Sequence, residues 1–159
     1  MRFHCKLGGN LKKSQCVCTV GKDTIEITRS DWWQAFQNKL NWRWLNGANC
    51  ELLIPNGSTL GDYNWYIHVD GVRVCSGILK GSFPDWWMRR EWKCDQCELT
   101  EGRLQLSRTF QCIKIAGEGV LVGVWRNCGT STHGVIRDDC EETVRIAAFG
   151  IMLSQRVAD

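Results

Sequence analysis

The feature of this sequence that most constrains its fold is the Cys-x-x-Cys motif formed by Cys94 and Cys97, which ends a tryptophan-rich segment starting at Pro84. Two thiols separated by two residues can bind one metal ion through a tight turn, and a structural zinc ion needs four such ligands. Further thiol and imidazole donors follow at Cys112, Cys128, His133 and Cys140. The spacing predicts a zinc site built from Cys94, Cys97 and two of these four residues. The alternatives are a redox pair and two halves of unrelated disulfides.

A second group of zinc donors lies near the N-terminus, at His4, Cys5, Cys16 and Cys18. The loop between Cys5 and Cys16 is polar and rich in glycine, and a metal ion could hold its two ends together. The alternative is that these cysteines are small buried groups in a strand. Zinc is therefore the one cofactor that the sequence predicts.

Length and composition indicate a single compact globular domain over residues 1–159. The chain is 43% hydrophobic and 23% charged, which is not typical of a disordered protein. The sequence Asp31-Trp32-Trp33 recurs as Asp85-Trp86-Trp87, and this repeat indicates two sub-units, 1–80 and 81–159, within the domain.

Nine tryptophans are many for a chain of this length, and a tryptophan at a surface often belongs to a binding site. We therefore expect an aromatic and cationic surface that binds RNA or a protein partner. Its predicted members are Trp86, Arg89, Arg90, Trp92 and Lys93, together with Trp42, Arg43 and Trp44. The alternative is that Trp87 and one neighbour are core residues, while Arg89 and Arg90 form a solvated face. The net charge of +3 permits RNA binding without arguing for it.

Hydrophobic periodicity predicts a β-rich α+β fold of antiparallel hairpins with two short helices, stabilised by zinc. The clearest hairpin pairs residues 64–69 with 72–75 around Asp70-Gly71, a strong two-residue turn signal. Residues 17–28 and 109–125 predict further hairpins. Thr143 to Leu153 predicts a last strand, and the alternative is a helix, because Glu141 and Glu142 suit a helix start. One helix is expected from Asp31 to about Leu40, and the other after Pro84. The expected core is Trp33, Phe36, Leu53, Ile67, Val69, Val74, Ile113, Ile115, Val122, Val124 and Ile146.

Two pairs of residues are candidates for a cysteine-dependent hydrolase, because a cysteine nucleophile needs a histidine base close by. One pair is Cys50 with His68, which Asp70 could orient, and the other is Cys128 with His133. The chain contains no Gly-x-Ser-x-Gly, no His-Glu-x-x-His and no glycine-rich phosphate loop. The sequence therefore favours a non-enzymatic binding protein, with the hydrolase as the alternative.

In size and cysteine content, and in the motif Cys94-Asp95-Gln96-Cys97, the chain resembles small zinc-binding accessory proteins of RNA viruses. Some of those proteins suppress RNA-based host defence, so the resemblance implies a viral accessory or defence-suppressor protein. The N-terminal residues show no signal-peptide pattern and no apolar run approaches the length of a membrane span, which predicts an intracellular protein. A further alternative is a secreted recognition module held together by disulfides, since the cysteine count of 10 is even.

Overall fold

The computed structural model describes residues 1–6, 16–30, 38–54, 64–80, 89–104 and 110–158. These ranges contain twelve β-strands, followed by the α-helix α1 (Glu142–Ala158). The strands are β1 (Arg2–Lys6), β2 (Cys16–Val20), β3 (Asp23–Ser30), β4 (Asn38–Arg43), β5 (Asn49–Ile54), β6 (Asn64–Val69), β7 (Val72–Lys80), β8 (Arg89–Cys94), β9 (Glu98–Arg103), β10 (Phe110–Ile115), β11 (Leu121–Cys128) and β12 (Ser131–Ile136). Each strand pairs antiparallel with its sequence neighbours, and β1 also pairs with β12, so the sheet closes into a barrel.

Alternation of buried and exposed residues explains why these segments form strands of a barrel wall. In β2, Cys16, Cys18 and Val20 are buried, whereas Val17 and Thr19 between them are exposed. Successive side chains in a strand point to opposite faces, so this period of two sends every second residue into the barrel. A closed sheet also leaves no unpaired edge strand.

The turn at Asp70-Gly71 confirms the strongest hairpin signal in the sequence. Both residues have positive φ angles, 50° for Asp70 and 80° for Gly71, and Val69 pairs directly with Val72. Asp-Gly tolerates this left-handed geometry, which matches the twist of the flanking strands. The predicted hairpins around Gly21-Lys22 and between β10 and β11 are also present.

Helix α1 fills the interior of the barrel. Its residues from Ile146 to Ser154 are all buried, and the helix contacts β5, β7, β11 and β12 on different sides of the wall. At its start, Nε1 of Trp44 donates a hydrogen bond to Glu142 Oε1 over 2.9 Å. Near its end, Nε1 of Trp125 donates to Gln155 Oε1 over 2.9 Å. The hydrophobic core is therefore the helix and the inward side chains around it.

Short turns collect at one end of the barrel, and α1 enters the interior from that end. We call this end the turn rim, and its turns are residues 21–22, 44–48, 70–71, 95–97 and 116–120. In the part of the chain that the structure describes, no helix has the length and apolar character needed to cross a membrane.

The predicted α+β class with two short helices is wrong, because the described residues form a barrel around one helix. Thr143 to Leu153, predicted as a strand, lies within α1. The last residues of both predicted helices lie in strands, Asn38–Leu40 in β4 and Arg89–Lys93 in β8. The remaining residues of those helices, 31–37 and 84–88, lie outside the described ranges, as do both Asp-Trp-Trp repeats. Of the predicted core, Ile67, Ile113, Val122 and Ile146 are fully buried.

Zinc stabilisation is also corrected. Among the described residues, no three or more His, Cys, Asp or Glu side chains are grouped so that they could hold a metal ion. Two cross-strand disulfides are present instead, Cys5–Cys18 between β1 and β2 and Cys75–Cys94 between β7 and β8. Directly opposite residues of antiparallel strands lie close enough for such bridges, and this pairing removes the donors that the zinc prediction needed.

Candidate functional site: a cationic groove on the outer wall

A groove of about 720 Å³ lies on the outer wall of the barrel. It crosses the five adjacent strands β2, β1, β12, β11 and β10. Strand register explains its central row of side chains, because each residue in the row lies opposite the next one on the neighbouring strand. That row is Thr19, His4, His133, Arg126 and Phe110. A second row, two residues further along each strand, consists of Gly21, Arg2, Val135 and Val124.

Gly134, between His133 and Val135 on β12, leaves room for buried aromatic side chains on the inner side of the strand. A Cβ on Gly134 would collide with the ring of Phe3 and with Cβ of Trp125, both of which are buried inside the barrel. The missing side chain lets these two aromatic residues pack beneath β12. His133 and Val135, on either side of Gly134, therefore face the solvent and line the groove.

Two arginines give the groove a positive potential. Arg2 and Arg126 are exposed, and neither forms an ion pair with a residue that the structure describes. The described residues that line the groove include no Asp or Glu. Two strand spacings and two residues along the strand separate the arginines, which places their Cα atoms about 12 Å apart. Arginine binds carboxylate and phosphate groups through two parallel hydrogen bonds, so the groove is suited to an anionic ligand.

His4 and His133 form the centre of the groove. Their rings stack with centroids 4.1 Å apart and planes inclined by 8°. Nε2 of His4 is buried and has no hydrogen-bond partner among the described residues. Burial, the neighbouring His133 and Lys6 lower the pKa of His4. The lowered pKa favours the neutral form of the His4 ring at pH 7.

The predicted pair of Cys50 and His68 is not formed. Cys50 faces the interior, whereas His68 lies on the outer face, with Nδ1 3.8 Å from Glu51 Oε2. Oδ1 of Asp70, which was predicted to orient His68, accepts a hydrogen bond from the amide of Asn49 over 2.9 Å. Burial and the charge of Asp70 raise the pKa of Cys50 to about 12, so this thiol is not a nucleophile near neutral pH.

Both residues of the second predicted pair, Cys128 and His133, line the groove. They are too far apart for the imidazole to take a proton from the thiol. Cys128 lies opposite Ser131, and His133 lies opposite Arg126, so the thiol and the imidazole are diagonal neighbours. Diagonal neighbours across two strands are about 7–8 Å apart. The imidazole of His133 stacks on His4, and no carboxylate among the described groove residues orients it.

The structure does not bring the residues of either predicted zinc site together. In the N-terminal group, His4 faces outward, while Cys5, Cys16 and Cys18 are buried inside. In the second group, Cys94 is bonded to Cys75, and Cys112 is buried on β10. Cys128 and His133 line the groove, whereas Cys97 and Cys140 lie together at the turn rim.

The predicted aromatic and cationic surface is wrong for four of its members. Trp42, Trp44, Trp92 and Arg90 are buried, with exposed fractions of 3%, 2%, 0% and 6%. Arg90 instead forms an ion pair with the buried Glu101. Arg43 and Lys93 are exposed, but they lie on β4 and β8, away from the groove. Trp86 and the side chain of Arg89 lie outside the described residues.

Sequence reasoning missed Arg2, Phe110 and Arg126 as functional candidates. Arg2 lies more than 100 residues before Phe110 and Arg126 in the chain, and only the pairing of β1 with β12 brings it to the same groove. A usable local signal was the alternation in Arg2-Phe3-His4-Cys5-Lys6, which places Arg2, His4 and Lys6 on one face of a strand. Comparisons with protein-family models, with curated proteins and with solved structures find no match to this chain, so the groove is assigned on its geometry alone.

Proposed function

We propose that this protein is a non-enzymatic binding protein whose outer-wall groove binds an acidic segment of a protein partner. The observation that carries the proposal is the pair Arg2 and Arg126, which flank a groove without an acidic residue among its described lining. Guanidinium groups that have no ion-pair partner among the described residues and lie beside apolar surface favour a ligand that has both carboxylates and apolar side chains.

The dimensions of the groove support a peptide ligand. Five strands have four spacings between them, which gives a length of about 19 Å. An extended peptide rises about 3.3 Å per residue, so the groove has room for about six residues. Phe110, Val124 and Val135 supply apolar surface for alternate side chains of such a peptide, and the two arginines supply partners for its carboxylates.

Fluorescence anisotropy with a labelled six-residue peptide of alternating glutamate and leucine tests this proposal. The variant Arg2→Gln with Arg126→Gln is expected to weaken binding at least about tenfold, because each charge-assisted hydrogen bond contributes roughly 1.5–3 kcal/mol. Arg43→Gln with Lys93→Gln is the matched control, since it removes the same charge from exposed positions outside the groove. A peptide with lysine in place of glutamate should not bind. Equal weakening in both double variants would show that net charge alone attracts the peptide, and would refute a site in the groove.

The two disulfides support the alternative of a secreted, disulfide-stabilised binding protein over the predicted intracellular location. Disulfides persist in oxidising compartments and are rare in the cytosol. Non-reducing mass spectrometry of protein purified from its native source tests this point. Bridges at Cys5–Cys18 and Cys75–Cys94 would agree with an oxidising compartment, whereas four free thiols at these positions would favour the intracellular location.

A further inference from the structure

Three cysteines occupy one cross-strand row at the turn rim. Cys75 lies opposite Cys94 in the pairing of β7 with β8, and a disulfide joins the two. Lys93 pairs with Glu98 in the next ladder, and the amide of Cys94 donates a hydrogen bond to the carbonyl of Cys97 over 2.9 Å. Cys97 therefore lies opposite Cys94 across the turn. Opposite residues of an antiparallel pair share a face, so the free thiol of Cys97 lies beside the bridge.

A fourth sulfur lies on the other side of Cys97. Cys140 belongs to the segment between β12 and α1, and it lines the same cavity of about 300 Å³ as Cys97. Burial and, after it, the neighbouring Cys140 raise the pKa of the Cys97 thiol, so its thiolate forms at alkaline pH. Both are only partly buried, and both pack against the edge of the core. Cysteines from β7, β8, the turn after β8 and the segment that leads into α1 thus follow one another along the turn rim.

We propose that Cys75, Cys94, Cys97 and Cys140 form an intramolecular thiol–disulfide exchange site. In the first step the thiolate of Cys97 attacks Sγ of Cys94, the Cys94–Cys97 bond forms, and the Cys75–Cys94 bond breaks. Cys75 leaves as a thiolate and takes up the proton that Cys97 lost. In the second step the thiolate of Cys140 attacks Sγ of Cys97, which forms Cys97–Cys140 and releases Cys94 as a thiol. Each state has one disulfide and two thiols, so no external oxidant or reductant is needed.

The exchange changes which parts of the barrel are covalently linked. The Cys75–Cys94 bridge joins β7 to β8 within the wall. A Cys97–Cys140 bridge would instead join the turn after β8 to the segment that leads into α1. With the Cys75–Cys94 bridge, two neighbouring strands of the wall are covalently linked. With the Cys97–Cys140 bridge, the wall is covalently linked to the start of α1. Cys94 lies opposite both Cys75 and Cys97. Opposite Cα atoms in antiparallel strands are about 4.5–5.5 Å apart, a distance that a disulfide can span.

Digestion with trypsin distinguishes the three states of the exchange, in which the disulfide is Cys75–Cys94, Cys94–Cys97 or Cys97–Cys140. Cleavage after Lys and Arg places Cys75 in peptide 74–80, Cys94 and Cys97 together in peptide 94–103, and Cys140 in peptide 138–145. The first state links 74–80 to 94–103. The second gives 94–103 with an internal bridge, two hydrogens lighter than the reduced peptide. The third links 94–103 to 138–145.

The experiment incubates the full chain at pH 8.5 without oxidant, quenches with acid, alkylates the free thiols and maps the peptides by non-reducing mass spectrometry. We expect the internally bridged peptide and the link between 94–103 and 138–145 to grow while the original link declines. Cys97→Ser should abolish both new species, and Cys128→Ser, which removes an exposed thiol outside the cluster, should leave them unchanged. The proposal is overturned if the wild-type protein retains the link between 74–80 and 94–103 alone, or if Cys97→Ser still forms the link to 138–145.

Discussion

The indole of Trp92 lies directly over Gly77, its partner in the pairing of β7 with β8. A Cβ on Gly77 would come within 2.7 Å of Cε3 and 2.8 Å of Cδ2 of this ring. Trp92 is fully buried, and its Nε1 donates a hydrogen bond to Glu101 Oε1 over 3.3 Å. The missing side chain at Gly77 is what allows so large a ring to lie against the inner wall of the barrel.

Gly77→Ala should therefore destabilise the protein by about 1–3 kcal/mol, the usual cost of inserting a methyl group into a packed core. The rigid indole cannot move aside as a flexible side chain would. Gly102→Ala on β9 is the control, because its nearest neighbour, Sγ of Cys112, lies 3.4 Å from the added Cβ. Urea denaturation compares the two variants. Equal stability of both would mean that Trp92 does not lie against Gly77.

Arg90 and Glu101 form an ion pair inside the barrel, with Nε of Arg90 3.2 Å from Glu101 Oε1 and both side chains buried. The guanidinium also lies over the ring of Trp65, 4.6 Å from its centroid. Arg90→Met is expected to cost about 3–5 kcal/mol, because it leaves a buried carboxylate without its cation. The double change Arg90→Met with Glu101→Gln should cost less than Arg90→Met alone, as thermal or urea denaturation would show. A double variant less stable than the single one would contradict the pairing.

The carboxyl group of Glu101 should also make the stability of the protein depend on pH. Burial raises the pKa of Glu101 above its ordinary value of 4.5, although Arg90 and Trp92 oppose the shift. The folded state then binds this proton more tightly than the unfolded state. The stability contribution of Glu101 is therefore greatest below about pH 4.5 and is lost as the pH rises through the raised folded pKa. Urea denaturation gives the free energy of unfolding of the wild type and of Glu101→Gln at each pH. The difference between the two should change with pH between the unfolded and the folded pKa of Glu101, and should be constant above the folded pKa.

The pKa of His4 should depend on the ring of His133 that stacks against it. Because burial and His133 lower the pKa of His4, the folded state disfavours protonated His4, and its contribution to stability is lost as the pH falls below 6.5. His133→Gln removes the neighbouring imidazole and should raise the pKa of His4, which NMR titration of the ring protons measures. His68→Gln, on the far strand β6, is the control and should leave it unchanged. A His4 pKa that does not respond to His133→Gln would exclude contact between the rings.

The hydrogen bond from Trp44 to Glu142 should contribute about 1 kcal/mol, since it joins the 44–48 turn to the first turn of α1. Trp44→Phe keeps an aromatic ring against Phe149 and removes the Nε1 hydrogen-bond donor. Glu142→Gln, in contrast, keeps an oxygen that can accept the hydrogen bond. A double-mutant cycle of Trp44→Phe and Glu142→Ala isolates the bond. Additive losses of stability in the cycle would show that the two side chains do not interact.

Three of the predicted candidate residues, His4, Cys128 and His133, proved to lie in the groove, for a reason that the sequence alone did not show. His4 and His133 were selected as metal donors, yet they meet as an outward-facing stacked pair. The partner of each is set by register between β1 and β12, which are 125 residues apart at Lys6 and Ser131. No local pattern specifies such a pairing, because alternation defines the face of a residue and not its neighbour on the next strand.

The sequence by itself determined the local hairpins and the side chains that face inward, since turn chemistry and a period of two act over a few residues. Asp70-Gly71 and the alternation in β2 are examples. Only the tertiary structure decided that β1 closes the barrel with β12 and that Thr143 to Leu153 is helical. An apolar run that is buried on every side has no polar face, so its composition fits a core strand as well as a core helix. Enclosure by the twelve strands settles the choice, because a helix satisfies its own backbone hydrogen bonds inside a wall whose strands are already paired.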